Sequence, residues 1–89
     1  MFYHYCTLEE AIEFMHTPLD ETGHTLVHIE IPDEKYCFRQ MDCLVPAFKV
    51  TNVVGMSKEE VDKYVCFCRY NAHLLLKYAK CGGIEKFLN

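Results

Sequence analysis

Histidine and cysteine are the residue types in this sequence that could bind a metal, and the histidines are concentrated near the N-terminus. Four of the five fall within residues 1–28, namely His4, His16, His24 and His28. Zinc sites use four cysteine or histidine ligands, most often in closely spaced pairs. Here Cys6 forms an H-x-C with His4, but the chain contains no C-x-x-C. We therefore expect no metal and no cofactor, and keep a metal-dependent enzyme as an alternative.

A thiol enzyme would need a cysteine beside a histidine that acts as its base. On the long helix predicted below, His73 lies on the same arc as Cys66 and Tyr70. Seven residues of helix span about 10 Å, which is too far for direct proton transfer from the thiol to the imidazole. No phosphate-binding glycine loop, nucleophile elbow or paired-carboxylate motif is present. We expect that the protein is not an enzyme.

The six cysteines raise the question of disulfides, which are common in small secreted domains. The N-terminal residues M-F-Y-H-Y-C lack the basic flank and the apolar core of a signal peptide. We therefore expect reduced thiols and a cytoplasmic location. No apolar run approaches the roughly 18 residues of a membrane span, so no membrane association is expected.

One amphipathic helix over residues 57–81 is predicted to position the other elements. Ser57 and Glu60 have the spacing of a capping box, and Gly82 follows the last turn, where glycine commonly ends a helix. The apolar residues cover an arc of roughly 200°, twice what a helix packed on one side needs. The flank of this arc consists of Phe67, Leu74 and Tyr78, with Tyr70 beside them. Either the N-terminal segment packs on this flank, or these four residues bind a partner or a second copy of the chain.

The remaining elements are predicted from shorter patterns. Residues 1–6 favour a strand, and a short helix between residues 7 and 16 is indicated by Leu8, Ala11, Ile12 and Met15. Alternation of apolar and polar residues predicts three strands, over residues 25–31, 36–41 and 47–54, with an interruption at residues 42–46. The predicted order is (β)-α-β-β-β-α, in one small two-layer α+β domain spanning residues 1–89. We expect an antiparallel sheet of three to four strands, with both helices on one face and the C-terminal helix packed across it.

Charge is distributed unevenly along the chain, although the net charge is only −4. Residues 1–34 contain no Lys or Arg, whereas residues 35–89 contain all nine basic side chains and five acidic ones. The acidic side chains of the first segment are Glu9, Glu10, Glu13, Asp20, Glu21, Glu30, Asp33 and Glu34. Such an acidic patch could bind the basic surface of a partner. The other interpretation is that the two oppositely charged segments attract each other within one fold.

The start of the long helix contains Gly55, Ser57 and Lys58, and with the order α-β-β-β-α it resembles the double-stranded-RNA-binding domain. This resemblance covers residues 7–79. In that family further lysines follow and contact phosphates, whereas Glu59 and Asp62 stand there in this chain. The resemblance therefore implies a shared topology without that phosphate contact. A nucleic-acid-binding regulator that uses Arg69, Lys77 and Lys80 instead is kept as an alternative.

Two further segments, V-H-I-E at residues 27–30 and N-A-H-L-L-L-K-Y at residues 71–78, resemble parts of a small bacterial domain encoded near toxin–antitoxin genes. The paired prolines that usually precede the strand histidine of that domain are missing here. This resemblance implies an antitoxin-type protein as a further alternative.

Together these observations predict a non-enzymatic protein-binding module that acts by occupying a partner's surface. Small intracellular chains without catalytic motifs are typical of phage and mobile-element products, including inhibitors of host defence nucleases such as anti-CRISPR proteins. An acidic patch would let such an inhibitor compete with nucleic acid for a basic groove. We expect the partner to be a protein, or a second copy of the chain, and expect nucleic acid to bind weakly.

Overall fold

Five strands and one helix follow one another along the chain. The computed structural model describes residues 2–8, 11–34 and 37–81, without the side chains of Cys37 and Cys81. The elements are β1 (Tyr3–Leu8), β2 (Ile12–His16), β3 (Thr25–Asp33), β4 (Cys37–Val45), β5 (Lys49–Val54) and α1 (Lys58–Cys81). The strands form one antiparallel meander in the order β1-β2-β3-β4-β5, and α1 packs on one face of it. The predicted two-layer α+β class is confirmed.

The short helix predicted between residues 7 and 16 is wrong, because β1 and β2 form a hairpin there. Leu8 lies opposite Ile12, and Cys6 lies opposite Phe14. Short apolar patterns fit a strand as well as a helix, so the period alone does not decide between them. Pairing with β3 decides here, since it places Phe14 opposite Ile29 and buries Phe14 completely. Only α1 covers the sheet among the described residues, rather than two helices as predicted.

The interruption of the strand predicted at residues 42–46 is also wrong, except at Pro46. β4 continues to Val45 and pairs with β3 along its full length. Met41, Cys43 and Val45 are each 0% exposed, so the alternation of buried and less buried residues runs on through this segment. The strand ends where Pro46, joined by a cis peptide bond to Val45, begins the turn to β5.

The hydrophobic core lies between α1 and the sheet. Phe14, Ile29 and Met41 form a row across β2, β3 and β4, and all three are fully buried. From the helix, Cys68 and Leu75 are buried in the same cluster. Burying a large apolar side chain contributes about 1.5–3 kcal/mol relative to leaving it in water. The apolar stripe of α1 that contains Cys68 and Leu75 therefore packs the helix onto the sheet, as predicted.

The wide apolar arc of α1 is explained by the N-terminal hairpin. The ring of Phe67 lies 4.2 Å from that of Phe14 of β2, measured between centroids. The ring of Tyr78 lies 6.0 Å from that of Tyr5 of β1. The Tyr5 hydroxyl also donates a hydrogen bond of 2.7 Å to the side-chain oxygen of Asn71, and burial raises the pKa of Tyr5 to about 12. The intramolecular alternative therefore applies to Phe67 and Tyr78.

The predicted capping box is present at the start of α1, and it supports a first test. The Ser57 hydroxyl accepts a hydrogen bond from the Glu60 amide, and the Glu60 carboxylate accepts one from the Ser57 amide, each at 3.2 Å. Replacing Ser57 with alanine is expected to lower the free energy of unfolding by about 1 kcal/mol, because the Glu60 amide loses its acceptor. Urea denaturation measures the change. The matched control Ser57→Asp keeps an acceptor and should stay close to wild type; equal losses in both variants would contradict the capping role.

Candidate functional site

The sheet face opposite α1 is the candidate functional site. Along β3, Val27, Ile29 and Ile31 are buried under the helix, and the intervening residues are only half-buried on the second face. This is the alternation predicted for the strand. Within residues 2–8, 11–34 and 37–81, no element covers the second face. We call it the open sheet face and define it by Glu13, Met15, Leu26, His28, Glu30, Asp42 and Leu44.

His28 is at the centre of the open sheet face, between two carboxylates. Its Nδ1 lies 2.5 Å from Oδ1 of Asp42, which is its direct neighbour on β4. Its Nε2 lies 2.8 Å from Oε1 of Glu30, two residues along the same strand. The ring of Phe2 packs against the imidazole at a tilt of 43°, with 5.4 Å between ring centroids. Both ring nitrogens can therefore donate hydrogen bonds to acceptors at the same time, as the protonated imidazolium does.

The two carboxylates stabilise the charged form of His28. Burial alone would lower the pKa of His28, and it is the largest single influence. The hydrogen bonds and charges of Asp42 and Glu30 together outweigh it, so that the pKa of His28 is raised above its ordinary value of 6.5. When the ring is protonated, the network of His28, Asp42 and Glu30 carries a net charge of −1. The side chains of His28 and Asp42 are only 15% and 10% exposed, so solvent screens this pair weakly.

The second oxygen of Asp42 is held by β5. Asn52 donates a hydrogen bond of 2.9 Å from its side-chain nitrogen to Oδ2 of Asp42. An irregularity in the pairing between Gln40 and Asp42 shifts the register of β5 at this point, and Asn52 has a φ of 52°. Asparagine tolerates this left-handed conformation better than most residues. The bulge therefore directs the side-chain amide of Asn52 to Asp42, so that both carboxylate oxygens of Asp42 accept a hydrogen bond.

Both ring nitrogens of His28 face carboxylates of the protein, Nδ1 towards Asp42 and Nε2 towards Glu30. Neither nitrogen is hydrogen-bonded to a hydroxyl or thiol that it could deprotonate. In the part of the chain that the structure describes, no group of three or more His, Cys, Asp or Glu side chains is placed to hold a metal ion. The predicted lack of a metal, a cofactor and an enzymatic activity stays a prediction.

The fold divides the described residues of the predicted acidic patch among different parts of the sheet, and binding of a partner by this patch stays a prediction. Glu9 and Glu10 lie outside the described residues. Asp20 and Glu21 are in the turn before β3, whereas Asp33 and Glu34 are at the other end of that strand, about 30 Å away at 3.3 Å per residue. Glu13 and Glu30 do come together, directly opposite each other on β2 and β3.

Two acidic residues of the divided set have internal roles. Asp20 accepts hydrogen bonds from the amides of Thr22 and His24, which closes the turn before β3 and lowers the pKa of Asp20. Asp33 pairs with Arg39 at 3.1 Å, and Arg39 also binds Glu60 of α1. Attraction between the acidic and basic segments, the second interpretation of the charge asymmetry, is thus found at this end of the sheet.

The four residues predicted to bind a partner are separated into two environments. Phe67 and Tyr78 pack on the N-terminal hairpin, as described above. Tyr70 and Leu74 lie on the outer side of α1, where they are 87% and 40% exposed. Partner binding by any of the four stays a prediction, and only Tyr70 and Leu74 are free of the core to make it.

The predicted basic residues also lie on α1. Arg69 stacks on Phe48 of the turn after β4, with 4.4 Å from the guanidinium carbon to the ring centre. Lys77 and Lys80 are exposed towards the C-terminal end of α1. The three cations are preceded by the exposed carboxylates of Glu59 and Asp62 at the helix start. This helix face is therefore mixed in charge rather than a uniform phosphate-binding surface.

The other histidines do not assemble with His28. His16 is fully buried beside Tyr3 and Tyr5, where burial lowers its pKa, and its Nδ1 lies 3.0 Å from the Thr17 carbonyl oxygen. His4 bonds to Thr7, and His24 bonds to Thr22 in the turn before β3. The four histidines of residues 1–28 are therefore close in sequence but lie in separate environments of the fold.

The described cysteine side chains are free thiols: Cys6, Cys43, Cys66 and Cys68. Cys43 of β4 and Cys68 of α1 are buried in the same core cluster, where the interaction of the two thiols lowers the pKa of Cys43 and raises that of Cys68. Cys66 and His73 are both exposed on the outer side of α1, as their predicted shared arc requires. The reduced state of all six stays a prediction.

Sequence reasoning missed Asp42 and Asn52, the residues that hold His28 in place. The interruption assigned to residues 42–46 removed Asp42 from the strand, and with it the cross-strand contact to His28. A signal was available: after Arg39, the residues Met41, Cys43 and Val45 continue the alternation of a strand, which places Asp42 on the opposite face. No sequence signal indicated the bulge that directs Asn52.

Neither the resemblances nor the comparisons with known proteins assign a function to this chain. A β-hairpin stands where the double-stranded-RNA-binding domain has its first helix, so the implied shared topology is wrong. Among the described residues, no helix has the length and apolar character needed to cross a membrane. No family model, curated protein or solved structure matches the chain.

Proposed function

We propose that the protein is a non-enzymatic binding module whose open sheet face docks on a basic surface of a partner protein. The observation that carries this is the composition of that face. Met15, Leu26 and Leu44 are half-buried on it, and the neighbouring carboxylates Glu13 and Glu30 lie on the other side of His28 from the two leucines. Protein interfaces commonly combine apolar side chains with charged groups on one surface.

The carboxylates determine which partner fits. Glu13 and Glu30 are directly opposite on adjacent strands, where two like charges disfavour each other. Glu30 is compensated by His28, whereas Glu13 is exposed. A lysine or arginine of a partner placed beside Glu13 would remove this repulsion and gain a charge-assisted hydrogen bond.

The His28 network supports such a role by holding the face rigid. Its hydrogen bonds connect β3 to β4 through Asp42 and β4 to β5 through Asn52. Side chains that are already fixed lose little conformational entropy on binding, so more of the interaction energy appears as affinity. A face ordered in this way suits surface occupation better than turnover of a substrate.

The finer proposal is that the partner is a nucleic-acid-binding protein, with a defence nuclease such as a CRISPR effector as the first candidate. The open sheet face would then cover a basic groove that otherwise binds nucleic acid. The exposed negative charge of Glu13 supports this, since it resembles that of a displaced phosphate. The phage or mobile-element origin that would accompany such an inhibitor belongs to the same proposal.

Replacing Glu13 with lysine is expected to weaken partner binding roughly tenfold or more, because one attractive contact becomes repulsive. The fold should tolerate the change, since the new lysine lies opposite Glu30. The matched control is Glu21→Lys, which makes the same change in net charge in the turn before β3. Proteins captured from native cells by the three chains are compared by quantitative mass spectrometry, and the purified partner is then titrated with each chain.

The proposal requires three results together: a direct complex with wild type, the same complex with Glu21→Lys, and weaker binding by Glu13→Lys. It also requires that duplex DNA or RNA compete with the wild-type chain for the purified partner. Equal affinities of all three chains would show that the binding surface lies elsewhere. For the finer proposal, cleavage by purified CRISPR effector nucleases should fall with wild type and recover with Glu13→Lys.

A further inference from the structure

A second surface of the molecule is unused by the proposed function, namely the outer side of α1. Tyr70, 87% exposed, and Leu74, 40% exposed, are four residues apart and so lie one turn apart on this side. Lys63 and Lys77 flank them, and both are exposed. We call these four residues the outer helix face. It combines an aromatic and an aliphatic side chain with two positive charges.

The outer helix face and the open sheet face are complementary in chemistry. One presents Tyr70 and Leu74 between lysines, and the other presents half-buried apolar residues beside Glu13 and Glu30. We infer that the protein associates with itself by placing the outer helix face of one copy on the open sheet face of the next. The inference rests on the proposed function, since it uses the same open sheet face.

Layer packing supports this arrangement. The sheet is already covered on one face by an amphipathic helix, and a sheet covered by helices on both faces is a common stable architecture. The second copy would supply the missing layer with a helix of the same length, α1 (Lys58–Cys81). Tyr70 and Leu74 would then contact Met15, Leu26 and Leu44, in the way that side chains on the buried side of α1 contact the core.

Charge favours contact between unlike faces. Two open sheet faces brought together would place Glu13 and Glu30 against the same carboxylates of the other copy. Two outer helix faces can meet with lysine against lysine or, in another register, with Lys77 against Glu59, so the Glu13→Lys variant below tests that arrangement. Unlike faces bring Lys63 of one copy towards Glu13 of the next, which places opposite charges together.

A contact between unlike faces leaves one face of each kind unused at the ends of any assembly. Copies can therefore add without a fixed limit unless the geometry closes a ring. The expected sign is an average mass that keeps rising with protein concentration beyond that of a dimer. Because charge complementarity contributes, high salt should weaken the association.

The test uses two variants, one for each face. Tyr70→Ser removes the aromatic side chain of the outer helix face, and Glu13→Lys reverses the charge of the open sheet face. Sedimentation velocity is run on each chain from about 1 µM to 1 mM, at about 0.1 M and 1 M salt. Each variant alone should associate at least roughly tenfold more weakly than wild type. Circular dichroism and thermal melts check that both variants fold.

Mixing the two variants gives the decisive result. The Tyr70→Ser chain keeps an intact sheet face, and the Glu13→Lys chain keeps an intact helix face, so the mixture should form a 1:1 dimer and nothing larger. Wild type that stays monomeric throughout, or a mixture without a dimer, overturns the inference. A wild-type dimer that Tyr70→Ser leaves intact would show that like faces pair instead.

These outcomes are separate from those of the proposed function. If self-association fails while a partner binds wild type and Tyr70→Ser equally, the open sheet face still serves a partner. If no partner binds the open sheet face but the mixed variants dimerise, the self-association stands alone.

Discussion

Replacing Phe14 with alanine is expected to lower the free energy of unfolding by about 3–5 kcal/mol, much of the stability of a domain this small. Phe14 is 0% exposed, contacts Phe67 and Tyr64 of α1, and lies opposite Ile29 in the sheet. Its removal would leave a cavity where the N-terminal hairpin, the sheet and the helix meet. Urea denaturation at constant pH measures the loss.

Two other aromatic residues provide the comparison. Phe67→Ala should also destabilise the fold, by a smaller amount than Phe14→Ala, because Phe67 is half-buried. Tyr70→Ala should change the free energy of unfolding by less than about 0.5 kcal/mol, since it is a surface residue away from the core. If Phe14→Ala and Tyr70→Ala unfold at the same urea concentration, the hairpin does not pack on the helix as described.

The second large effect is on the pH dependence of stability, where His28 and His16 act in opposite directions. Glu30 and Asp42 face His28, and they raise its pKa above the unfolded value of 6.5 despite burial. Its contribution to stability is therefore fully present below pH 6.5 and is lost as the pH rises through the folded-state pKa. Burial lowers the pKa of His16, and a hydrogen bond to Thr17 opposes this only partly. Its contribution is present above pH 6.5 and is lost as the pH falls through the folded-state pKa.

The variants His28→Gln and His16→Gln separate the two contributions. Free energies of unfolding are measured between about pH 5 and 9, the range over which histidines titrate in proteins. Wild type should lose stability as the pH rises through the folded-state pKa of His28, and His28→Gln should not show this loss. Wild type should also lose stability as the pH falls through the folded-state pKa of His16, and His16→Gln should not show that loss. The slopes are compared, because both variants also change packing. NMR titration of the imidazole protons is the direct check, and a pKa of His28 below 6.5 would contradict the network.

Local sequence was sufficient for the elements whose signals are long or chemically specific. The helix at residues 58–81 has a capping box, charges arranged along its dipole and an apolar stripe over six turns, so no other conformation satisfies as many of its residues. The alternation along β3 predicted which of its side chains would be buried. These signals lie within single segments, and the tertiary structure confirms them.

The sequence by itself thus determined an α+β domain built on one long helix, and it identified acidic residues and a helix flank as candidate surfaces. Only the tertiary structure decided how those surfaces are used. Five apolar residues between positions 7 and 16 fit either a helix or a strand, and pairing with β3 selected the strand because it buries Phe14 and His16. That hairpin then covered Phe67 and Tyr78, leaving Tyr70 and Leu74 outside. Because β3 is nine residues long, Asp20 and Glu21 before it and Asp33 and Glu34 at its far end lie at opposite ends of the sheet. Antiparallel pairing brought Glu13 of β2 and Asp42 of β4 onto the same face as His28 and Glu30 of β3.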